Sequence, residues 1–290
     1  MARYYISADL EGIVGVVNPR QCYPAPGRED GELYQRALLL AHQELTLLIG
    51  ALLDCDETAE VVINDAHSGM LNLDINQLPE GIRLLSGKPK VAAMMAGLDN
   101  GFDAAMLIGY HAKPGTRYGV LNHAFHHGIA NIDLNGVSVG EAAMNTLWAQ
   151  QVCQVPVVLG AGDAAFCTEF SAFSPAAATV ETKVGLSTTS ARSHSLEALA
   201  AAYHGAVTVT FSDWSALTLE HYQLDPIFKP PYAMTLTMTN TLYADAVALN
   251  PLFDRVDGLS LTAGADSFEQ VYRTLQSGYM LLGSTDQPHY

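Results

Sequence analysis

Basic residues are scarce in this chain: 14 Lys and Arg stand against 30 Asp and Glu, a formal charge of −16 over 290 residues. Such an excess repels nucleic-acid phosphates and anionic membrane surfaces, so neither is an expected partner. It favours cations instead, either metal ions or a substrate carrying a free amine. Cysteine is scarcer still. Cys22, Cys55, Cys153 and Cys167 are scattered, with no C-x-x-C pair, which argues against a cysteine zinc site or a disulfide framework and fits a reducing compartment. Met1-Ala2-Arg3 leads straight into the strand-like Tyr4-Tyr5-Ile6 without a basic–apolar–small leader, and no apolar run reads as transmembrane length. The expected compartment is the cytoplasm. Long repeats and low-complexity tracts are missing as well.

What the chain does have is apolar material, 49% of its residues against 15% charged. That is enough to bury a sizeable core in one large domain or two of roughly 150 residues each. Residues 3–9 form a short apolar run with a polar end. Residues 30–52 place Leu33, Ala37, Leu38, Leu40, Leu47 and Leu48 at helical spacing. Val61-Val62-Ile63 and Ala104–Ile108 read as buried strands, and Ile132–Val139 as a hairpin about Asn135-Gly136. Residues 140–152 look helical, and Pro156–Leu159 supplies another strand. This alternation predicts an α/β fold with a Rossmann-like sheet and helices on both its faces. Beyond about residue 170 the texture changes, and Pro226, Pro230 and Pro231 break the chain. Two strand-then-helix units follow, near 233–239 and 259–282, so the expected division is an α/β domain over 1–170 and a smaller α+β domain over 171–290. Residues 207–211 are ambiguous, with strand propensity at the end of an alanine-rich helical stretch.

The acids and histidines fall in telling places. Asp9 and Glu11 follow the first strand, two residues apart, so that in extended backbone both carboxylates address one point. Asp65 and His67 follow the second strand, and His111 follows the third. In a parallel α/β sheet these strand ends line one crevice. Glu141 opens the helix after the hairpin; alone, an acid in a first helical turn is routine. Taken together, three carboxylates and two imidazoles suit two divalent ions with one carboxylate shared, zinc first and manganese or cobalt as substitutes. Two such ions polarise a scissile carbonyl, and the leaving amine then needs an acid–base group. His123, in the loop after His111, is the natural candidate, with His126 and His127 as nearby competitors. Lys113 and Arg117, in the same loop, are candidate contacts for a substrate carboxylate, although exposed cations are common. Asp163 reads equally as a residue orienting the site or as a turn residue.

These stretches in order resemble the DppA-type D-aminopeptidase family: Ser7–Ile13, Val62–Ser68, Gly109–Ala112, Gly119–His123 and Val139–Glu141. The likeness runs through Ala161-Gly162-Asp163 and is firmest over residues 4–165. The resemblance implies that Asp9, Glu11, His67, His111 and Glu141 hold two zinc ions, that Asp9 bridges them, and that His123 is catalytic. It implies a short peptide or amino-acyl amide substrate with a free N-terminus, often a D-residue such as D-alanine, and a homo-oligomer enclosing its active sites. Asp65 joins Asp163 as a candidate for orienting the ligands. The chain departs from the pattern at Ala164-Ala165, where a second acid and a basic residue are expected, and over 14–35 and 206–231.

Two other readings compete. A dinuclear amidase or phosphoesterase acting on a non-peptide molecule needs the same metals, but basic residues are few near the motifs. A non-catalytic peptide-binding or assembly protein gives no reason for ligands at three strand ends.

Overall fold

Short apolar runs become parallel strands in the computed structural model, which describes residues 2–23, 31–283 and 285. Residue 30 of the expected helix and residues 24–30 of the loosely matched segment lie outside the described residues. The first half carries β1 (Arg3–Ala8), α1 (Pro19–Cys22), α2 (Gly31–Cys55), β2 (Glu60–Asp65), β3 (Arg83–Leu85) and β4 (Ala104–Tyr110), then the hairpin β5 (Ile129–Leu134) and β6 (Val137–Val139) and α3 (Glu141–Leu147). Next come β7 (Val157–Asp163), α4 (Ala164–Phe173), β8 (Ala178–Ser187), β9 (Ser190–Ser193) and α5 (Leu196–Thr210). The chain closes with β10 (Tyr232–Met238), α6 (Thr241–Val247), β11 (Asp254–Arg255), β12 (Ser260–Ala265) and α7 (Phe268–Leu282).

The main sheet has the order β3-β2-β1-β4-β7-β8-β9, parallel except for β9. Its first six strands follow the doubly wound order in which the chain winds out one way from β1 and then the other way from β4. The crevice at that reversal, beyond the carboxyl ends of β1 and β4, is where such sheets bind ligands. A second, antiparallel sheet runs β11-β12-β10-β5-β6. Each sheet therefore draws strands from both sides of residue 170.

Three local readings of the sequence are refined by the structure. The 132–139 hairpin forms as read, with Asn135 and Gly136 both at positive φ (53° and 85°), yet it pairs with β10 in the second sheet. Residues 207–210 end a helix and form no strand: Leu199, Tyr203 and Val207, four apart, are the buried stripe of α5. By length and composition, α2 is apolar enough to cross a membrane, against the expectation that no run reaches that length. Its stripe of Ala37, Ala41, Leu45, Leu48, Ile49 and Leu52 is buried, and α2 packs on α5. That stripe of the helix is thus taken up by the protein's own core, while Leu33 and Leu39 are exposed.

The edge that carries the chemistry is held tightly. Gly109, at the end of β4, has φ +74°, and a Cβ there would collide with the backbone carbonyl of Asp9. Asp9 N–H donates to the Ile108 carbonyl (2.8 Å) and Gly12 N–H to the Gly109 carbonyl (2.7 Å), so β1 and β4 hand their exits to each other. Gly109→Ala is expected to cost about 2–4 kcal/mol through the strained backbone and this clash, seen as a lower urea midpoint. A midpoint equal to wild type would show that the two exits need no such approach.

Candidate metal centre

Five side chains converge beyond the ends of β1, β2 and β4 and at the first residue of α3. Asp9, Glu11, His67, His111 and Glu141 are all at most 6% exposed. Charged and polar groups are rarely buried this deeply unless paired or bound to metal. His67 Nε2 lies 3.2 Å from Glu11 Oε1, and His111 Nε2 lies 3.0 Å from Glu141 Oε1 and 3.7 Å from Asp9 Oδ2. Ligand atoms of Asp9, Glu11 and His111 fall within 4.8 Å of one another, and so do those of His111, His123 and Glu141. Asp9 thus sits between a Glu11–His67 pair and a His111–Glu141 pair.

The other ring nitrogens fix how the imidazoles face this point. His67 Nδ1 is 3.2 Å from Asn72 Oδ1, and His111 Nδ1 is 3.1 Å from the Ala112 carbonyl. Both partners only accept, so Nδ1 is the proton bearer in each ring and Nε2 is turned to the carboxylates. Asn72 is oriented in turn by Asp65, whose Oδ1 accepts from Asn72 Nδ2 at 2.7 Å and whose Oδ2 accepts from Leu73 N–H at 2.8 Å. Tyr34 donates to Asn72 Oδ1 (2.8 Å). Asp65 is thus linked to His67 through Asn72. Such a carboxylate-backed imidazole is the usual support of a metal ligand.

Burial and mutual charge set the protonation of these side chains. Burial, then the neighbouring Glu11 and Glu141 charges, push Asp9 well above the ordinary carboxylate range. Burial disfavours charge on His111, but Glu141 outweighs it and holds the imidazole at about 9. At His67, Glu11 likewise overcomes burial and raises the pKa. Glu141, against its burial, is held down to about 2, mainly by His111. The cluster by itself thus retains protons where divalent cations would serve. His67 Nε2, His111 Nε2 and Glu11 Oε2 are buried without a hydrogen-bond partner. A mixed oxygen and nitrogen donor set with three such atoms fits a pair of zinc-like ions.

His123 is half-buried and stacks on His111, with ring centroids 4.2 Å apart and planes at 13°. Its Nδ1 is 2.9 Å from the Leu121 carbonyl, which leaves Nε2 to exchange a proton. Burial, then the charge on His111, hold its pKa below the usual histidine value. His126 and His127 stack on each other and pack against Tyr243 instead. Asp163 caps α4 through Phe166 N–H (2.8 Å) and accepts from Val120 N–H (2.6 Å), fixing the loop that leads to His123. Lys113 donates its ammonium to the Ser138 carbonyl (2.8 Å) and lines a cavity of about 490 Å³. That bond uses one of the ammonium's three donors. Arg117 lies over the Tyr118 ring, 4.6 Å from its centroid.

Sequence reasoning missed several neighbours. Tyr23 donates to Glu11 Oε1 (2.7 Å) and its ring is 5.0 Å from that of His67. Cys22 Sγ lies within 4.8 Å of ligand atoms of Glu11 and His67; burial, then Glu11 and Asp9, push this thiol far above the ordinary range. Lys90 donates to Asn64 Oδ1 (2.5 Å) and to the Asp65 carbonyl (2.8 Å). No local signal marks these residues, because their partners are distant in sequence.

With the geometry in place, three comparisons are informative. A family model described as D-aminopeptidase matches residues 2–277. A D-aminopeptidase of Bacillus subtilis (strain 168) is 35% identical over 161 residues, which span 56% of this chain and 56% of that relative's own length. The solved structure of the Zn-dependent D-aminopeptidase DppA from Bacillus subtilis, described as a self-compartmentalizing protease, superposes with a TM-score of 0.86 at 25% identity. That likeness covers 98% of this chain and 99% of the other.

Proposed function

The chain belongs to the D-aminopeptidase family, and from that premise we propose that it removes the N-terminal residue, a D-amino acid such as D-alanine, from short peptides or amides. Asp9, Glu11, His67, His111 and Glu141 are the residues that would hold two zinc ions. The carrying observation is the set of three orphaned buried atoms, His67 Nε2, His111 Nε2 and Glu11 Oε2, at the crevice where the sheet reverses its winding. When bound, the ions supply Lewis-acid polarisation of the scissile carbonyl and acidify a water.

The chain's own residues do the rest. Asn72 and the Ala112 carbonyl hold the protons of His67 and His111 on Nδ1, so each Nε2 faces inward. Tyr23 donates to Glu11 Oε1 and keeps that carboxylate from swinging out. Phe125 N–H donates to Glu141 Oε2 at 2.6 Å, which aims the other oxygen at His111. His123 Nε2 takes the proton released at the nucleophile and returns it to the departing amine. Lys113 and Arg117 are the proposed contacts for the carboxylate end of a short peptide.

The protein is read as a homo-oligomer in the cytoplasm. The self-compartmentalizing character of the DppA structure supports the first part, and the free Cys22, Cys55, Cys153 and Cys167 support the second. Elemental analysis after purification without added metal or chelator is expected to find about two zinc per subunit. Such protein is expected to turn over D-alanyl 4-nitroanilide faster than its L-isomer, and a generic phosphoester not at all. No metal uptake on titration would overturn the reading, and phosphoester turnover alone would replace it with a phosphoesterase.

A further inference from the structure

The segment from Asp9 to Val16 bears two of the five proposed ligands and belongs to no helix or strand. Buried backbone outside regular structure still needs partners for its N–H and C=O groups. Here long side chains from remote elements supply them. Glu44 of α2 accepts from Val14 N–H (2.9 Å), and Gln21 Nε2 donates to the Gly15 carbonyl (3.0 Å). The densest set of ties comes from β8. Thr182 Oγ1 donates to the Gly12 carbonyl (2.6 Å). Lys183 Nζ donates to the carbonyls of Glu11, Ile13 and Val16 at 2.6, 2.7 and 2.6 Å.

Lys183 has 0% of its surface exposed, an unusual place for an ammonium. An ammonium has three donors and no acceptor, and here all three are spent on one short stretch of backbone. Burial lowers its pKa to about 8, and the nearby Asp163, Glu44, Cys22 and Glu11 offset only part of the cost of taking the charge out of water. No lysine is needed merely to fill this space. An apolar side chain of similar length would do so and would leave the carbonyls of Glu11 and Val16 without this donor and that of Ile13 with only Val16 N–H (3.2 Å).

We propose that Lys183, assisted by Thr182, is a positioning residue for the metal centre: it holds the carbonyls of residues 11–16 so that Asp9 and Glu11 present their carboxylates to one point. This rests on the reading of Asp9 and Glu11 as zinc ligands. Lys183 is 172 residues from Glu11 in sequence, and its strand is the sixth of the main sheet. The centre is therefore braced from the half of the chain that bears none of its five ligands.

The test uses the full chain carrying Lys183→Met or Thr182→Val. Zinc affinity of the folded protein is measured by competition with a chromophoric chelator, and hydrogen exchange is followed in peptides covering residues 9–17. The expected result for Lys183→Met is zinc binding weakened about 10–100-fold, as for other losses of support behind a ligand, with faster exchange in those peptides and unchanged exchange in β4. Thr182→Val, which removes one tie, is expected to show a smaller change of the same sign. A Lys183→Met protein that keeps wild-type zinc affinity and wild-type exchange over 9–17 overturns the proposal, whatever its melting temperature. Should that variant not fold, Thr182→Val carries the test, and wild-type values for both readouts overturn it. Wild-type protein that binds no zinc would sink the active-site reading instead. The exchange arm then still decides whether Lys183 holds this segment.

Discussion

A His67→Ala, His111→Ala double variant is expected to lose D-aminoacyl amide turnover by at least ~10³-fold, because the several kcal/mol that metal ions contribute to the transition state disappear. The two substitutions act on opposite sides of Asp9. Removing His67 leaves Glu11 without the cation-side partner now 3.2 Å away, and removing His111 does the same to Glu141 at 3.0 Å. The remaining donors are three buried carboxylates, too crowded to stay ionised together: Asp9 is already held far up by burial and by its two acidic neighbours. The variant should therefore take up protons in place of metal, and its zinc content should fall below about one per subunit, half the wild-type expectation. Elemental analysis and initial rates on the same preparation check both halves. Full turnover would remove the metal centre from the reaction altogether, and full zinc content with no turnover would move the ligands elsewhere in the chain.

The convergence of Asp9, Glu11, His67, His111 and Glu141 was legible because each follows a readable run. Tyr4-Tyr5-Ile6, Val61-Val62-Ile63 and Ala104–Ile108 are short and apolar, as strands buried on both faces must be, so their polar ends stand out. Asn135-Gly136 announced the hairpin by turn chemistry alone. The sheet that the hairpin joins was not legible, since β5 meets β10 a hundred residues later and nothing local encodes the partner. β8 escaped notice for another reason: Thr179, Glu181, Thr182 and Lys183 give it the look of a loop, although Thr182 and Lys183 are fully buried. Their burial is bought by carbonyls of residues 11–16, a long-range fact. α5 shows the reverse case, where β-branched Val207, Thr208 and Val209 suggest a strand and packing of Leu199, Tyr203 and Val207 against the core overrides them. The order of the motifs carried the functional reading, whereas Tyr23, Asn72 and Lys183 became visible only once the chain was folded.

On the proposed reading His123 moves protons and holds no metal, so its replacement is the sharper experiment. His123→Ala is expected to lower kcat about 10²–10⁴-fold, the usual worth of a positioned acid–base group, with KM and zinc content near wild type. The geometry supports this split. His123 is half-buried where the five ligands are buried, and its ring lies flat against His111, so Nε2 reaches the same space from the open side. Its Nδ1 is tied to the Leu121 carbonyl, and that loop is pinned by Asp163 through Val120. Burial, then the charge on His111, lower its pKa, which favours the neutral form able to accept a proton. Its ligand atoms also fall within 4.8 Å of those of His111 and Glu141, which makes coordination the competing role. The two roles part cleanly in one variant. Loss of kcat with zinc intact, partly restored by added imidazole, marks a proton carrier; loss of about one zinc equivalent with no rescue marks a ligand. An unchanged kcat would exclude both, and His126 and His127, packed against Tyr243, would then be the next histidines of that loop to replace.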